Sequence, residues 1–327
     1  MAQENVEKHF KLLDEMVEYI QEKMNVTYIE GLTIGLEYIV TEVAPSSITK
    51  EVQEKIDKKI KFFTFEALNK EEIRKVIQLT ILKGMKGATQ QQHLITPDTV
   101  AMFIGYVAQK LIGSKEKLRV FDPASGSANL LMAVLNQLTM NKQAYGSEID
   151  TTLIQLSLMS ANLQRTEVEF FHQDSLQPFL LEPVDLIVSD LPVGYYPDDV
   201  RSSQFKLNAT KGHAYSHHLL MEQSIHYTKE GGYLLFVIPN FLFDSDQADK
   251  LHVYLQQEVH IIGLLQLPLS IFRDENQAKS ILILQKKGEA TKAPKETLLA
   301  QLPSFKDVRA TEQIVEKMNQ WFKNEGY

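Results

Sequence analysis

The chain has 327 residues, 44% hydrophobic and 23% charged, and its 15 Gly and 11 Pro exclude low-complexity, collagen-like and disordered classes. With 34 basic against 42 acidic side chains the net charge is −8, so no overall field attracts nucleic acid or an anionic membrane, and any phosphate contact must be local. The absence of Cys excludes disulfides, thiolate zinc sites and cysteine nucleophiles, and the acidic first 30 residues with no apolar run near ~20 residues predict a cytoplasmic protein without a membrane anchor.

Val6, Phe10, Leu13, Val17, Ile20 and Met24 recur at spacings of four and three, which places them on one helical stripe. Val52, Ile56, Ile60 and Phe63 repeat the pattern. Ile73, Val76, Ile77, Leu79 and Ile81 do so behind Asn69, with Glu72 three positions later as a helix-start signal. Residues 1–90 therefore read as a small all-α domain. The stretch from Gly84 to His93, with two Gly and three consecutive Gln, reads as a linker.

From Leu94 onward, short β-rich runs alternate with helical stretches, the signature of a wound parallel sheet in a second domain, residues 91–327. The runs are Leu118–Asp122, Ala144–Ile149, Val168–Gln173, Val184–Ser189, Tyr233–Pro239, His260–Leu267 and Ser280–Lys286. Helical patterns lie at Asn129–Leu138, Leu153–Leu163 and His217–Tyr227. No clear full helix joins the last two runs, so they are expected to form an antiparallel hairpin that closes a seven-stranded sheet. Residues 310–325 read as a terminal surface helix.

The first run ends Asp122-Pro123-Ala124-Ser125-Gly126-Ser127-Ala128-Asn129, a carboxylate followed by a small-residue turn that opens a helix. Gly126 permits close backbone approach of a ligand, and the helix N-terminus offers unpaired N–H groups. In open α/β sheets ligands bind beyond the carboxyl ends of the strands where strand order reverses. Glu148 lies 22 positions after Gly126, the spacing at which an acid accepts both hydroxyls of a ribose. A nicotinamide cofactor would explain that much equally well. Ala128 stands where a dinucleotide fingerprint requires its second Gly, and a third acid, Asp174, ends the third run. Three acids at successive strand ends suit a cationic nucleoside such as S-adenosylmethionine, with its ammonium, ribose diol and adenine amine. Each acid taken alone also reads as a helix cap.

The fourth run ends Ser189-Asp190-Leu191-Pro192-Val193-Gly194-Tyr195-Tyr196-Pro197. In order and spacing the four motifs resemble the adenine-N6 DNA methylases, in particular the modification subunits of type I restriction systems and their stand-alone YtxK-like branch. The resemblance covers roughly residues 70–288 and includes Ile95-Thr96-Pro97-Asp98, Val237-Ile238-Pro239-Asn240-Phe241 and Lys279-Ser280-Ile281-Leu282. It implies a class I methyltransferase sheet that binds S-adenosylmethionine and methylates an exocyclic amine. Carried over, Thr96 and Pro97 cover the methionine end, and Asp122 with the Ala124–Gly126 backbone holds the amino acid part. Glu148 takes the ribose, Ile149 packs on the adenine face, and Asp174, followed by Ser175, accepts from the adenine amine. Asp190 matches the polar first position of the family's Asn/Asp-Pro-Pro-aromatic motif, which accepts the target amine's hydrogens with help from the following carbonyl. Leu191 replaces the first Pro, Pro192 keeps the second, and Val193 replaces the aromatic residue that stacks on a flipped base. Tyr195 or Tyr196 substitutes for it if the loop bends back.

The loop from Gly194 to Ser216 interleaves Tyr195, Tyr196, Phe205 and Tyr215 with Arg201, Lys206, Lys211 and His213. It reads either as a base-stacking, phosphate-contacting segment or as a solvated loop. His217 and His218 are adjacent, hence on different helix faces, with no carboxylate at ligand spacing, so no metal site is expected. Family members that read DNA sequence use a separate region or subunit, and the ~40 residues after the last run are too few for one. Nucleic-acid binding by the isolated chain is thus expected to be weak, with a protein partner or a homodimer to supplement it. The first expectation is an adenine-directed DNA methyltransferase. The second is an S-adenosylmethionine-binding regulatory or partner-binding module with weak or lost catalysis. RNA or a protein side-chain amide is the remaining acceptor class.

Overall fold

The computed structural model describes residues 2–85, 95–113, 115–272 and 274–327. Four helices open the chain: α1 (Ala2–Met24), α2 (Tyr28–Thr41), α3 (Lys50–Ile60) and α4 (Lys70–Met85). The α1 stripe buries Leu13, Val17 and Ile20 against α2 and α4. The start of α4 is fixed as its sequence predicts, since the Glu72 N–H donates to Asn69 Oδ1 and the Asn69 N–H donates to Glu72 Oε2, both at 2.9 Å. Helix α2 left no periodic mark because it is apolar nearly all round, burying Tyr28, Leu32 and Leu36. Its Gly35 lets α1 approach closely: a Cβ there would lie 2.8 Å from Met16 Cε. Gly84 and Met85, the beginning of the expected linker, belong to α4. The remainder of that linker lies outside the described residues.

The second part alternates α5 (Asp98–Ile112), β1 (Lys117–Asp122), α6 (Asn129–Gln137), β2 (Asn141–Glu148), α7 (Thr151–Leu163), β3 (Glu169–His172), β4 (Val184–Asp190), the short α8 (Asp199–Ser202), α9 (Ser216–His226) and β5 (Thr228–Pro239). Then follow α10 (Ala248–Glu258), β6 (Val259–Gln266), β7 (Lys279–Lys286), β8 (Leu298–Gln301) and α11 (Val308–Glu325). The sheet order is β3-β2-β1-β4-β5-β7-β6-β8. β1 to β5 run parallel, and β7 inserts antiparallel between β5 and β6. The expected hairpin is therefore present. The sheet has eight strands rather than seven, because the four-residue β8 adds in parallel to β6.

Period-two alternation sends β4's Leu186 and Val188 to one face, with α5 and α6, and Ile187 to the other, with α9 and α10. Helix α11 is less superficial than expected, since Met318 and Phe322 are buried in the first of these cores. The helical part packs on the sheet part. Its core continues through Leu153, Leu156 and Leu163 of α7. Strand order reverses between β1 and β4, so the carboxyl ends of β1, β2, β3 and β4 frame the crevice where a ligand is expected. Among the described residues no helix is long and apolar enough to cross a membrane.

Candidate active site

The turn after β1 is held from below. Asp122 is fully buried and accepts from the Ser189 hydroxyl at 2.8 Å and the Ala124 N–H at 3.0 Å. Burial raises its carboxyl to about 7, against the opposing pull of those two hydrogen bonds. Asp122 lies beneath the turn and does not line the crevice, so its influence there passes through the Ala124 backbone. Gly126 takes φ +54° and Ala128 φ +59°, left-handed conformations that wind the chain into α6. The passage is narrow on the β2 side, where a Cβ on Gly146 would come within 2.7 Å of the Phe170 ring and 3.3 Å of Ser125 Oγ.

Beyond the turn opens a cavity of about 510 Å³, lined by Ala124, Gly126, Glu148, Ile149, Asp174, Ser175, Leu191, Pro192, Tyr196 and others. Glu148 Oε2 accepts from the Gly126 N–H, and Oε1 accepts from the N–H groups of Ile149 and Asp150, each at 2.9 Å. Ile149 is 65% exposed, an apolar side chain left at the cavity wall with nothing of the protein to cover it. Asp174 accepts from the Leu176 N–H at 2.9 Å and from the Tyr196 hydroxyl at 2.5 Å. Burial, with that carboxylate beside it, pushes the Tyr196 phenol upward. The Ser175 hydroxyl sits between the Pro123 carbonyl and the Ser147 hydroxyl, which ties the ends of the first three strands together.

Asp190 ends β4 on the boundary between this cavity and a second one of about 340 Å³. Its Oδ1 accepts from Lys279 Nζ at 2.6 Å, and its Oδ2 from Thr96 Oγ1 at 3.1 Å. Lys279 borders both cavities. The second has an apolar wall of Val193, Val237, Phe241, Leu267 and Phe272 together with Pro97, faced by the polar Asp190, Asn276, Gln277 and Lys279. Thr96 is buried and lines neither cavity; its hydroxyl serves Asp190. Leu191 is buried, and its N–H donates to the Val237 carbonyl at 3.2 Å. Tyr195 lines neither cavity. It is exposed and stacks on Tyr215 with ring centroids 4.8 Å apart. Tyr196 reaches the first cavity but on the Asp174 side, so neither tyrosine replaces the missing aromatic residue at Val193. Phe241 and Phe272 are the aromatic side chains of that second cavity.

The loop after β4 folds back on itself through the antiparallel bridge of Tyr195 with Tyr215. His217 and His218 are buried behind it, and burial lowers them to about 3 and about 4, so both are neutral. Among the described residues no three His, Asp or Glu side chains gather as a metal ion would require. Sequence reasoning gave no role to Lys279 or Asn129, and gave Tyr196 only that of a substitute for the stacking aromatic residue. Lys279 was legible as the first residue of the last run's motif, but its pairing with Asp190 arises from sheet topology, 89 positions away.

An eight-stranded sheet of this order, with its crevice at the strand-order reversal, is the class I methyltransferase fold. A crystal structure from Listeria monocytogenes, provisionally described as a class I S-adenosylmethionine-dependent methyltransferase, superposes with a TM-score of 0.91 at 38% identity, covering 98% of this chain and 99% of that one. The methyltransferase subunit of a type I restriction-modification system from Streptococcus thermophilus gives 0.65 at 14% identity over 94% and 74%, a likeness of fold. The N-6 DNA methylase family model matches residues 84–325, and the chain belongs to this family. The YtxK N-terminal helical domain matches residues 7–85, and YtxK of Bacillus subtilis (strain 168) is 44% identical over 99% of this chain and 100% of its own length.

Proposed function

We propose that the protein binds S-adenosylmethionine in the larger cavity and transfers its methyl group to an exocyclic amine held at Asp190, with adenine in DNA as the acceptor. The observation that carries this reading is the position of Asp190, a strand-end carboxylate shared by the walls of two adjoining cavities. A carboxylate offers about four acceptor positions. Three backbone donors leave Glu148 about one position, and two donors leave Asp174 about two, which fits one ribose hydroxyl and an adenine amine with Ile149 against the base. When bound, the cofactor supplies an electrophilic methyl group on a sulfonium. Asp190 and the Leu191 carbonyl then accept the amine's hydrogens, which orients the nitrogen lone pair toward that methyl. The apolar wall of the second cavity, with Phe241 and Phe272, offers aromatic surface against which the acceptor packs. Relatives described as subunits of restriction-modification systems support a partner that supplies DNA contacts, and the family supports a cytoplasmic setting.

A second reading has its own observation. Lys279 and Thr96 each already bond one oxygen of Asp190, and Leu191 and Val193 depart from the family motif, which favours a module that binds the cofactor and regulates a partner without transferring the methyl group. Titration with S-adenosylmethionine beside NAD tests the cofactor. Incubation of wild type and Asp190→Ala with methyl-labelled cofactor and whole-cell extract tests the chemistry. Labelling by wild type alone, with cofactor affinity nearly equal in the two, is the expected result. Equal labelling removes Asp190 from the reaction, and no labelling by either favours the regulatory module.

A further inference from the structure

Arg74 lies on α4, within the segment matched by the helical-domain model, yet it is the largest of the fully buried side chains among the described residues, and besides Glu71 of its own helix its partners belong to the sheet part. Its Nη1 donates to Asn129 Oδ1 at 2.7 Å, and its Nη2 to Asp98. Nε donates to Glu71 Oε2 at 2.8 Å, which orients the guanidinium from its own helix. Asp98 and Asn129 are the first residues of α5 and α6, the two helices that start beside the candidate site. Asn129 Nδ2 in turn donates to the Thr96 carbonyl at 3.0 Å, and the Thr96 hydroxyl donates to Asp190. An unbroken chain of hydrogen bonds thus runs from the helical part to the strand-end carboxylate.

A fully buried guanidinium is a poor device for stability alone, since well-packed apolar residues commonly serve as well or better. Its planar fork is suited to holding several acceptors in fixed relative positions. Here those acceptors are the starts of two helices and, through Asn129, the Thr96 backbone. We propose that Arg74 is a positioning residue of the methyltransferase site, and that the N-terminal helices complete this site rather than serve as an appendage to it. The inference rests on the cofactor reading above for its binding readout only.

The test uses the full chain as Arg74→Met, Asn129→Ala and the double variant, with folding checked by circular dichroism. Hydrogen exchange at the first hydrogen-bonded amides of α5 and α6, those of Val100, Ala101 and Met132, should accelerate about tenfold or more in each single variant, and no further in the double, while the amides of α4 stay protected. Affinity for S-adenosylmethionine should fall about tenfold in each single variant and no further in the double, because one chain of contacts is broken at either link. Arg74→Lys, which keeps the charge but not the fork, should recover only part of the loss. Wild-type exchange at α5 and α6 in a folded Arg74→Met protein, or additive effects in the double variant, would overturn the proposal. If Arg74→Met does not fold, Asn129→Ala decides by the same readings. A wild type that binds no S-adenosylmethionine defeats the cofactor reading, while the exchange measurement still decides the role of Arg74.

Discussion

At Asp122 the sequence shows an acid at a strand end, and the resemblance puts it against the ligand's amino acid part. The structure puts it one layer lower, where it shapes the turn. Nothing in a single sequence distinguishes an acid beside a ligand from one beneath the loop that meets the ligand, because both occupy the same position of the same strand. Burial makes the difference measurable. Raised from 3.8 to about 7, the folded-state carboxyl holds its proton where the unfolded chain has released it. Its favourable contribution is therefore complete below 3.8 and is lost as pH rises toward and through about 7, where the folded state must carry a buried charge. Asp122→Asn keeps an acceptor for Ser189 and Ala124 without that charge. Denaturant unfolding across this window should show wild type losing stability relative to the variant as pH increases. The difference cancels the opposite trend from His217 and His218, which are held neutral in both proteins. Parallel pH profiles would mean that Asp122 is ionised in the fold throughout.

Among elements, those with one buried face or strong β composition were legible: the α1 stripe, α4 with its Asn69–Glu72 start, and seven strands within a few residues. Helix α2 was missed because it is apolar around its circumference, and α5 because the stripe of Val100, Phe103, Ile104, Val107 and Leu111 is blurred by a second buried face of Ala101, Gly105, Ala108 and Ile112. The strand Leu298–Gln301 was missed because only its pairing with β6 makes it a strand. Helix α11 was found in sequence but placed too far outside. Its Phe322 is 2% exposed, in ring contact with Tyr106, Trp321 and Tyr327, and Trp321 Nε1 ties the helix to the Glu296 carbonyl at 2.9 Å. Phe322→Ala should therefore cost about 3–5 kcal/mol in unfolding free energy, the usual loss for emptying a buried aromatic site. Affinity for S-adenosylmethionine at a temperature where the variant is folded should not change. A cost below about 1 kcal/mol, within the range of ordinary surface substitutions, would show that α11 is the superficial helix its position in the sequence implies.

For the whole molecule, the division into helices and a wound sheet was visible as a change of texture near residue 94, but the junction between them was not. Arg74 and Asn129 are 55 positions apart, and nothing in the periodic pattern of α4 singles Arg74 out. The motif residues were legible because cofactor-binding turns recur at fixed strand ends. The acceptor side was less so, because Lys279, Phe241 and Val193 meet only through the order of β4, β5 and β7. Charge is the property that sequence and structure describe alike. The net charge of −8 is joined, on the loop after β4, by pairing of Lys206 with Glu258 at 3.1 Å, while Asp198 and Asp199 on the same loop offset Arg201 and Lys211 in formal charge. Binding that depends on releasing counterions from DNA needs several free cations in one place. The isolated protein should accordingly bind duplex DNA no more tightly than about micromolar at physiological salt, with little sequence preference and a shallow salt dependence. Fluorescence anisotropy over a salt series, with and without S-adenosylmethionine, measures all three. A nanomolar, sequence-selective complex would place a reading surface on this chain itself, whereas weak binding that tightens on addition of a cell extract would place it on a partner.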